Sequence, residues 1–88
     1  MRKTDSPSAG IIEIDIHGMN KYQAKILIES RLRSVPKSVY RLRIIHGYHS
    51  GTELRDMVRK ELGANKKVLR VEVGLNPGET DLILRELF

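Results

Sequence analysis

One run of alternating residues restricts the fold of this chain more than any other feature. Residues 11–17, I-I-E-I-D-I-H, place Ile12, Ile14 and Ile16 on one side and two acidic residues and a histidine on the other. This period of two predicts a strand with one buried face. Because a helical pattern follows within a few residues, the chain is expected to build a sheet with helices packed against that face.

Five further segments follow the first strand, each with the spacing typical of one element. Apolar residues at helical spacing predict two helices, which Asn20 and Ser50 cap and Pro36 and Gly63 end. Alternating apolar residues predict three more strands. The predicted elements are a helix at 20–35, a strand at 40–46, a helix at 50–62, and strands at 67–73 and 80–87 that an N-P-G turn joins as a hairpin.

This order predicts a two-layer α/β sandwich with a four-stranded mixed sheet. Two strand-helix-strand units cross over right-handed, which makes the first three strands parallel and the fourth antiparallel. Each strand has a charged side, so both helices are expected on one face and the other face largely in water. Residues 1–10 contain Pro, Gly and two Ser without an apolar period, which predicts a disordered N-terminal arm and leaves 11–88 as one domain.

The amino-acid composition excludes several kinds of site and favours one kind of partner. The 88 residues include no cysteine, which excludes a disulfide scaffold, a thiolate zinc site and a cysteine nucleophile. No signal peptide or membrane span is recognisable, so we expect a cytoplasmic protein without a membrane partner. Sixteen Lys and Arg against eleven Asp and Glu give a net charge of +5, which favours nucleic acid as the partner.

The candidate catalytic residues follow the first two strands. Ligands of open parallel sheets bind beyond the carboxyl ends of the strands, where His17 and His46 stand, each before a glycine. Asp15 lies on the same side of its strand as His17 and can orient that ring for general acid or base catalysis. Structural roles remain open for both histidines, because His46 shares its strand side with Leu42 and Ile44 and can pack there.

The loop G-Y-H-S-G-T leads into the second predicted helix and is a candidate phosphate site. Glycines let the backbone approach a ligand, and unpaired N–H groups at a helix start favour an anion. Helix capping and chain turning explain the same residues without a ligand. An exposed tyrosine in this loop can stack on a base. The residues predicted to bind nucleic acid are Lys21, Arg43, Gly47, Tyr48, His49, Ser50, Gly51 and Arg55.

A metal site is an alternative use of the same side chains. Asp15, His17, His46 and His49 are all able to ligate a metal, but their spacing matches no ligand signature. We therefore predict no metal or cofactor, with a bound divalent cation as the alternative.

Two motifs resemble those of a known family. D-I-H-G at 15–18, I-I-H-G at 44–47 and G-T-E-L-R from Gly51 resemble the small MutS-related (Smr) domain, over residues 12–87. The resemblance implies a fold similar to the C-terminal domain of bacterial translation initiation factor three. It places the family's D-x-H pair on Asp15 and His17, and the histidine and first glycine of its H-G-x-G motif on His46 and Gly47.

The resemblance also implies nucleic-acid binding, with DNA nicking or RNA cleavage in many members and the ribosome as a partner of several. The first hypothesis is an endonuclease in which His17, oriented by Asp15, exchanges a proton with the attacking or leaving oxygen while Arg55 stabilises the phosphate charge. The second is a binding module for nucleic acid or the ribosome without turnover. The intact D-x-H pair favours the first hypothesis, which we prefer. The altered loop H-G-Y-H-S-G favours the second.

Overall fold

The computed structural model describes residues 10–48 and 51–86, so residues 1–9 of the predicted arm lie outside it. The predicted order of strands and helices is confirmed. The elements are β1 (Ile11–Asp15), α1 (Lys21–Ser34), β2 (Arg41–Ile45), α2 (Glu53–Asp56), a π-helical segment (Met57–Leu62), β3 (Arg70–Glu72) and β4 (Glu79–Ile83).

The four strands form one mixed sheet in the order β1-β2-β4-β3. β1 is parallel to β2, and β4 is antiparallel to both β2 and β3. The first three strands therefore run in one direction and the fourth in the other, and β3 and β4 form the expected hairpin. The register places Asp15 opposite Ile45 and Ile45 opposite Glu79, which brings the ends of β1 and β2 to one edge of the sheet with the start of β4.

Both helical elements pack on one face of this sheet, which confirms the two-layer sandwich. Asn20 caps α1 as predicted, since its side-chain oxygen accepts from the backbone N–H groups of Tyr22 at 2.8 Å and Gln23 at 3.3 Å. The side chains buried between the layers include Ile12, Ile14, Ile16, Ala24, Ile28, Leu32, Leu42, Ile44, Met57, Val58, Leu62 and Leu82. Within the described part of the chain, no helix is long and apolar enough to span a membrane.

The second predicted helix is present, but most of it is not α-helical. Only Glu53–Asp56 is α-helical, and the chain continues in π-helical turns over Met57–Leu62. The N–H of Gly63 accordingly donates to the carbonyl of Val58, five residues earlier, at 3.0 Å. Such wide turns are rare in proteins and are frequently found at functional sites. The proposed cap Ser50 lies outside the described residues.

The third strand is shorter than predicted, and its predicted inward residues are partly wrong. β3 covers three residues at the edge of the sheet, and only Val71 of the alternating set packs against the core. Leu69 is 54% exposed and Val73 is 55% exposed, because both lie beyond the short ladder with β4. The fourth strand ends at Ile83, before the predicted residue 87.

The outer face of the sheet is covered by ion pairs at its centre, where we expected water. Asp81 of β4 is only 9% exposed and accepts hydrogen bonds from Arg41 and Arg43, the latter through Nε and Nη2 at 3.2 Å each. Arg41 also donates to Glu72 at 3.1 Å. Because β4 lies inside the sheet, long side chains of the flanking strands cover its outer side. Ile83, at 2% exposure, is buried there too.

Candidate functional site

The two sequence motifs meet at the edge where β1 and β2 end. The N–H of Ile16 donates to the carbonyl of Ile45 at 2.9 Å, which continues the parallel ladder past the last strand residue. Gly18 and Gly47 then turn the chain with φ of +77° and +80°, values that favour glycine. Gly47 also lies against His17, since a Cβ added to Gly47 would stand 3.4 Å from the Cβ of His17. Neither glycine is therefore readily replaced.

Asp15 and His17 form the predicted pair on this edge. The Nδ1 of His17 lies 2.6 Å from Oδ1 of Asp15, and the backbone N–H of His17 donates to the same oxygen at 3.1 Å. Burial raises the pKa of Asp15, but these hydrogen bonds lower it by more, so the pKa lies below its ordinary value. The ionised carboxylate only accepts, so Nδ1 carries the proton and Nε2 is the ring nitrogen left to meet a substrate on a side chain that is 69% exposed. The predicted contact is present, whereas the catalytic role stays a prediction.

His46 has a different environment from His17. It is 5% exposed, its Nδ1 lies 2.8 Å from the carbonyl oxygen of Gly47, and its Nε2 lies 2.8 Å from Oγ1 of Thr80. A carbonyl only accepts, so Nδ1 carries the proton and Nε2 accepts from the threonine hydroxyl. The Nε–H of Arg59 donates to the same hydroxyl oxygen at 3.0 Å. Four groups thus form one chain of hydrogen bonds that ends on the Gly47 carbonyl.

The electrostatics of His46 agree with this assignment. Burial is the largest effect on the pKa of His46 and lowers it, the hydrogen bond to the Gly47 carbonyl opposes this, and the positive charges of Arg59 and Arg55 lower the pKa further against a small opposing effect of Glu79. His46 is therefore neutral at pH 7, with both ring nitrogens bonded inside the protein. This geometry favours the structural role that the sequence left open, in which His46 holds Gly47 in place beside His17.

The substitution Thr80→Val tests this chain of hydrogen bonds. It keeps the side-chain shape and removes the buried hydroxyl, so we expect the free energy of unfolding to fall by about 1–3 kcal/mol in urea titrations. Thr52→Val is the matched control, because that hydroxyl belongs to an exposed residue and donates to the Asp56 side chain, and its cost should stay below about 0.5 kcal/mol. NMR of the imidazole nitrogens should find the wild-type proton of His46 on Nδ1. A proton on Nε2 contradicts the assignment.

A turn near the end of the chain belongs to this site, although the sequence identified it only as a hairpin turn. The carbonyl of Gly78 accepts from the backbone N–H groups of His46 at 2.9 Å and Gly47 at 3.0 Å. Asn76 fixes the turn by accepting from the N–H of Gly78 at 2.9 Å. The ring of Tyr48 also packs on this turn, 3.3 Å from where a Cβ of Gly78 would lie. The turn that precedes β4 therefore holds His46 and Gly47 in place.

A shallow pocket of about 180 Å³ lies between the first motif and the start of α2. It contains two of the predicted residues, His46 and Gly51, and Gly51 has a φ of +100°. Tyr48 is 57% exposed beside the clamped loop. His49 and Ser50 lie outside the described residues, so their predicted roles stay predictions. The pocket is lined by Gly18, Met19, His46, Gly51, Glu53 and Leu54.

The predicted basic residues lie in three different places. Arg55 of α2 lies near the second motif, because its charge lowers the pKa of His46, and its Nε is 3.3 Å from Oδ1 of Asp56. Lys21 opens α1 with its Nζ 5.5 Å from the ring centre of Tyr22. Arg43 lies on the outer face of the sheet, where Asp81 and two glutamates offset its charge. The structure therefore does not bring Arg43 to the loop that holds Tyr48.

No three His, Asp or Glu side chains within residues 10–48 and 51–86 converge as metal ligands would. The expectation of no cofactor, and its divalent-cation alternative, both stay predictions.

Comparisons with known proteins agree on one family. The Smr domain family model matches residues 14–78, a range that contains both motifs and the turn at Gly78. The crystal structure of the Smr domain of Thermus thermophilus MutS2 is similar, with a TM-score of 0.71 and 25% sequence identity, over 84% of this chain and 98% of that chain. Comparison with curated proteins finds no match.

Proposed function

This chain belongs to the Smr domain family, and from that premise we propose that it is an endonuclease that binds nucleic acid at the edge formed by β1 and β2. The observation that supports this proposal most is the Asp15–His17 pair, with 2.6 Å between carboxylate and imidazole. A positioned proton-transfer group of this kind typically accelerates a reaction by about 10² to 10⁴. The pair is exposed on an open edge, which suits a polymeric substrate.

His17 transfers the proton in the proposed reaction. Its Nε2 takes a proton from the attacking oxygen or gives one to the leaving oxygen, while the Asp15 carboxylate holds Nδ1–H and stabilises the ring when it is charged. Arg55 supplies positive charge near the second motif, where the phosphate charge develops. Gly47 turns the chain beside His17 with a φ of +80°, a backbone conformation that residues with a side chain rarely adopt.

A second candidate function is binding of nucleic acid or the ribosome without cleavage. The environment of His46 favours it, since both ring nitrogens of that residue are bonded inside the protein. Within the described residues His17 is then the one exposed imidazole. A reaction that needs two imidazoles must recruit His49, which lies in the altered loop. A domain limited to one imidazole is better suited to binding than to fast turnover.

The experiment that separates the two functions is a cleavage assay with the purified 88-residue chain. Labelled single-stranded, duplex and structured forms of RNA and DNA are incubated with the protein, and binding and product are measured on the same samples. We expect binding together with accumulating product on at least one substrate. Binding across the panel without product supports the second function, and the absence of both contradicts each of them.

Binding is expected to depend steeply on salt. A protein that neutralises phosphates releases counterions, so we expect a slope of about −2 to −4 in a plot of log affinity against log salt concentration. Arg55→Ala should flatten the slope by about 1 and weaken all sequences alike, because phosphate contacts do not read bases. Fluorescence anisotropy at several salt concentrations measures both. Arg43→Ala is a poorer probe, because it also removes an ion-pair partner of Asp81. A flat salt response contradicts binding through phosphates.

A further inference from the structure

A groove lined by basic residues lies at the opposite end of the sheet from His17. The groove has a volume of about 540 Å³ and an apolar floor made by Val35 and Leu84. The residues that line the groove lie near the starts of β2 and β3 and the end of β4, whereas Asp15 and His17 lie at the end of β1. Five-residue strands separate the two ends by about 16 Å. The basic groove is lined by Val35, Lys37, Lys66, Lys67, Leu84 and Arg85.

Among the residues that the structure describes, no acidic side chain neutralises the cations of the basic groove. Its four cations form no ion pair with any residue that the structure describes, and no carboxylate is among the lining residues. The arginines of the outer sheet face are the contrast, since Arg41, Arg43 and Arg70 are each paired with acidic side chains. Four cations around one concave surface, with no acidic partner in residues 10–48 and 51–86, raise the local concentration of anions.

Backbone contacts hold the groove residues in position. The Nε–H of Arg85 donates to the carbonyl of Val39 at 3.2 Å, which orients the guanidinium. The side chain of Asn65 accepts from the N–H of Lys67 at 2.8 Å, and its carbonyl accepts from the N–H of Val68 at 2.9 Å, which fixes the turn that carries the lysines. A surface that is already ordered loses less entropy when a ligand binds.

The shape and charge of the groove indicate a polyanion. The cations come from three separate segments, before β2, before β3 and after β4, so a single phosphate ion leaves some of them unpaired. Val35 and Leu84 are half-buried and do not protrude, which argues against insertion into a membrane. Lysine is a point charge that positions phosphates without reading bases. A sugar-phosphate backbone offers regular charges to the lysines and apolar sugar carbons to the floor.

We propose that the basic groove is a second backbone-binding site for nucleic acid, separate from the edge that carries Asp15 and His17. The identity of the ligand rests on the proposed function, while the existence of an anion site rests on the groove itself. With one site at each end of the sheet, the domain holds two segments of one folded nucleic acid, or two strands.

The test is an amide NMR titration of the full chain with a six-nucleotide single strand of RNA or DNA. We expect two separate sets of shifting signals, one at Gly18 and Gly47 and one at Lys67, Val68 and Arg85. The double variant Lys66→Gln, Lys67→Gln should lose the second set and keep the first. Both lysines are exposed, so the fold is expected to survive, and the unchanged core signals verify this in the same spectra.

Affinity for a 30-nucleotide strand supplies the second measurement. Lys67→Gln should weaken binding about fivefold at 0.1 M salt, the effect of one lost phosphate contact on a single strand. Lys60→Gln is the matched control, since it removes the same charge from an exposed residue of the π-helical segment outside the groove, and it should change affinity less than twofold.

Every other outcome of these measurements contradicts either the second site in the basic groove or the proposed function at the edge that carries Asp15 and His17. Shifts confined to Gly18 and Gly47, or equal effects of Lys67→Gln and Lys60→Gln, overturn the second site and leave the proposed function standing. Shifts confined to the basic groove support the second site and contradict binding at the D-x-H edge. Poly-glutamate that shifts the groove signals at the same concentration as the oligonucleotide overturns the assignment to nucleic acid.

Discussion

His17→Ala is expected to abolish cleavage while the affinity for nucleic acid changes less than about threefold. The substitution removes the Nε2 that transfers the proton, whereas binding depends on the Lys and Arg side chains that contact phosphates. Asp15→Asn is expected to lower kcat by about 10² to 10⁴, because an amide cannot stabilise the charged ring as the carboxylate at 2.6 Å does. These are the largest effects expected of any single substitution at this edge.

Single-turnover cleavage and anisotropy on the same substrate measure the two effects separately. Glu13→Gln is the matched control, since Glu13 is an exposed acid on the same side of β1 that contacts Arg43 at 3.9 Å and does not contact His17. Its rate should stay within about threefold of wild type. Equal loss of binding and cleavage in His17→Ala means that the residue builds the site without transferring a proton. Cleavage that survives both site substitutions indicates a contaminating nuclease.

The sequence predicted the elements of this fold better than their arrangement. Alternation predicts which residues of a strand face inward, and Ile12, Ile14, Leu42 and Ile44 are all buried as expected. Alternation does not say which strand lies inside the sheet, because a hairpin can add at either edge with the same residue pattern. In the structure, β4 is buried on both faces, as expected of an interior strand. In the sequence, Asp81 gives β4 a charged side, which is typical of a strand with one face in water.

The same distinction applies to the candidate site, where contacts between residues close in sequence could be predicted and contacts between strands could not. Asp15 and His17 are two residues apart on one strand side, so their contact could be predicted from local spacing. The bonds of His46 to Thr80 and of Gly47 to Gly78 join β2 to β4, and they depend on a pairing that no local pattern specifies. Arg59 reaches Thr80 from π-helical turns, which also have no sequence signal here. The sequence therefore identified the exposed pair and His46, but not Thr80, Gly78 and Arg59, which hold the second motif in place.

RNA cleavage is expected to stop when the 2′-hydroxyl at the scissile position is removed. In the proposed route Nε2 of His17 takes the proton of that hydroxyl as its oxygen attacks the adjacent phosphorus. The bond to the 5′ oxygen then breaks, and that oxygen needs a proton. His46 has both ring nitrogens bonded, so His49 or water must supply it. The products are a 2′,3′-cyclic phosphate and a 5′-hydroxyl, and DNA is not cleaved by this route.

A short RNA with one 2′-deoxy residue at the cleavage position tests this route, with the same substitution three nucleotides away as its control. The first RNA should be uncut over the time in which the unmodified RNA is consumed, and the second should be cut at the normal rate.

Activity should persist in a strong chelator, since His17 and Asp15 supply the base without a metal. His49→Ala should slow cleavage further than any substitution of His46 that preserves the fold. Chelator-sensitive activity that added Mg²⁺ or Mn²⁺ restores, together with cutting of the deoxy substrate, points instead to attack by a metal-activated water, for which the 2′-hydroxyl is irrelevant.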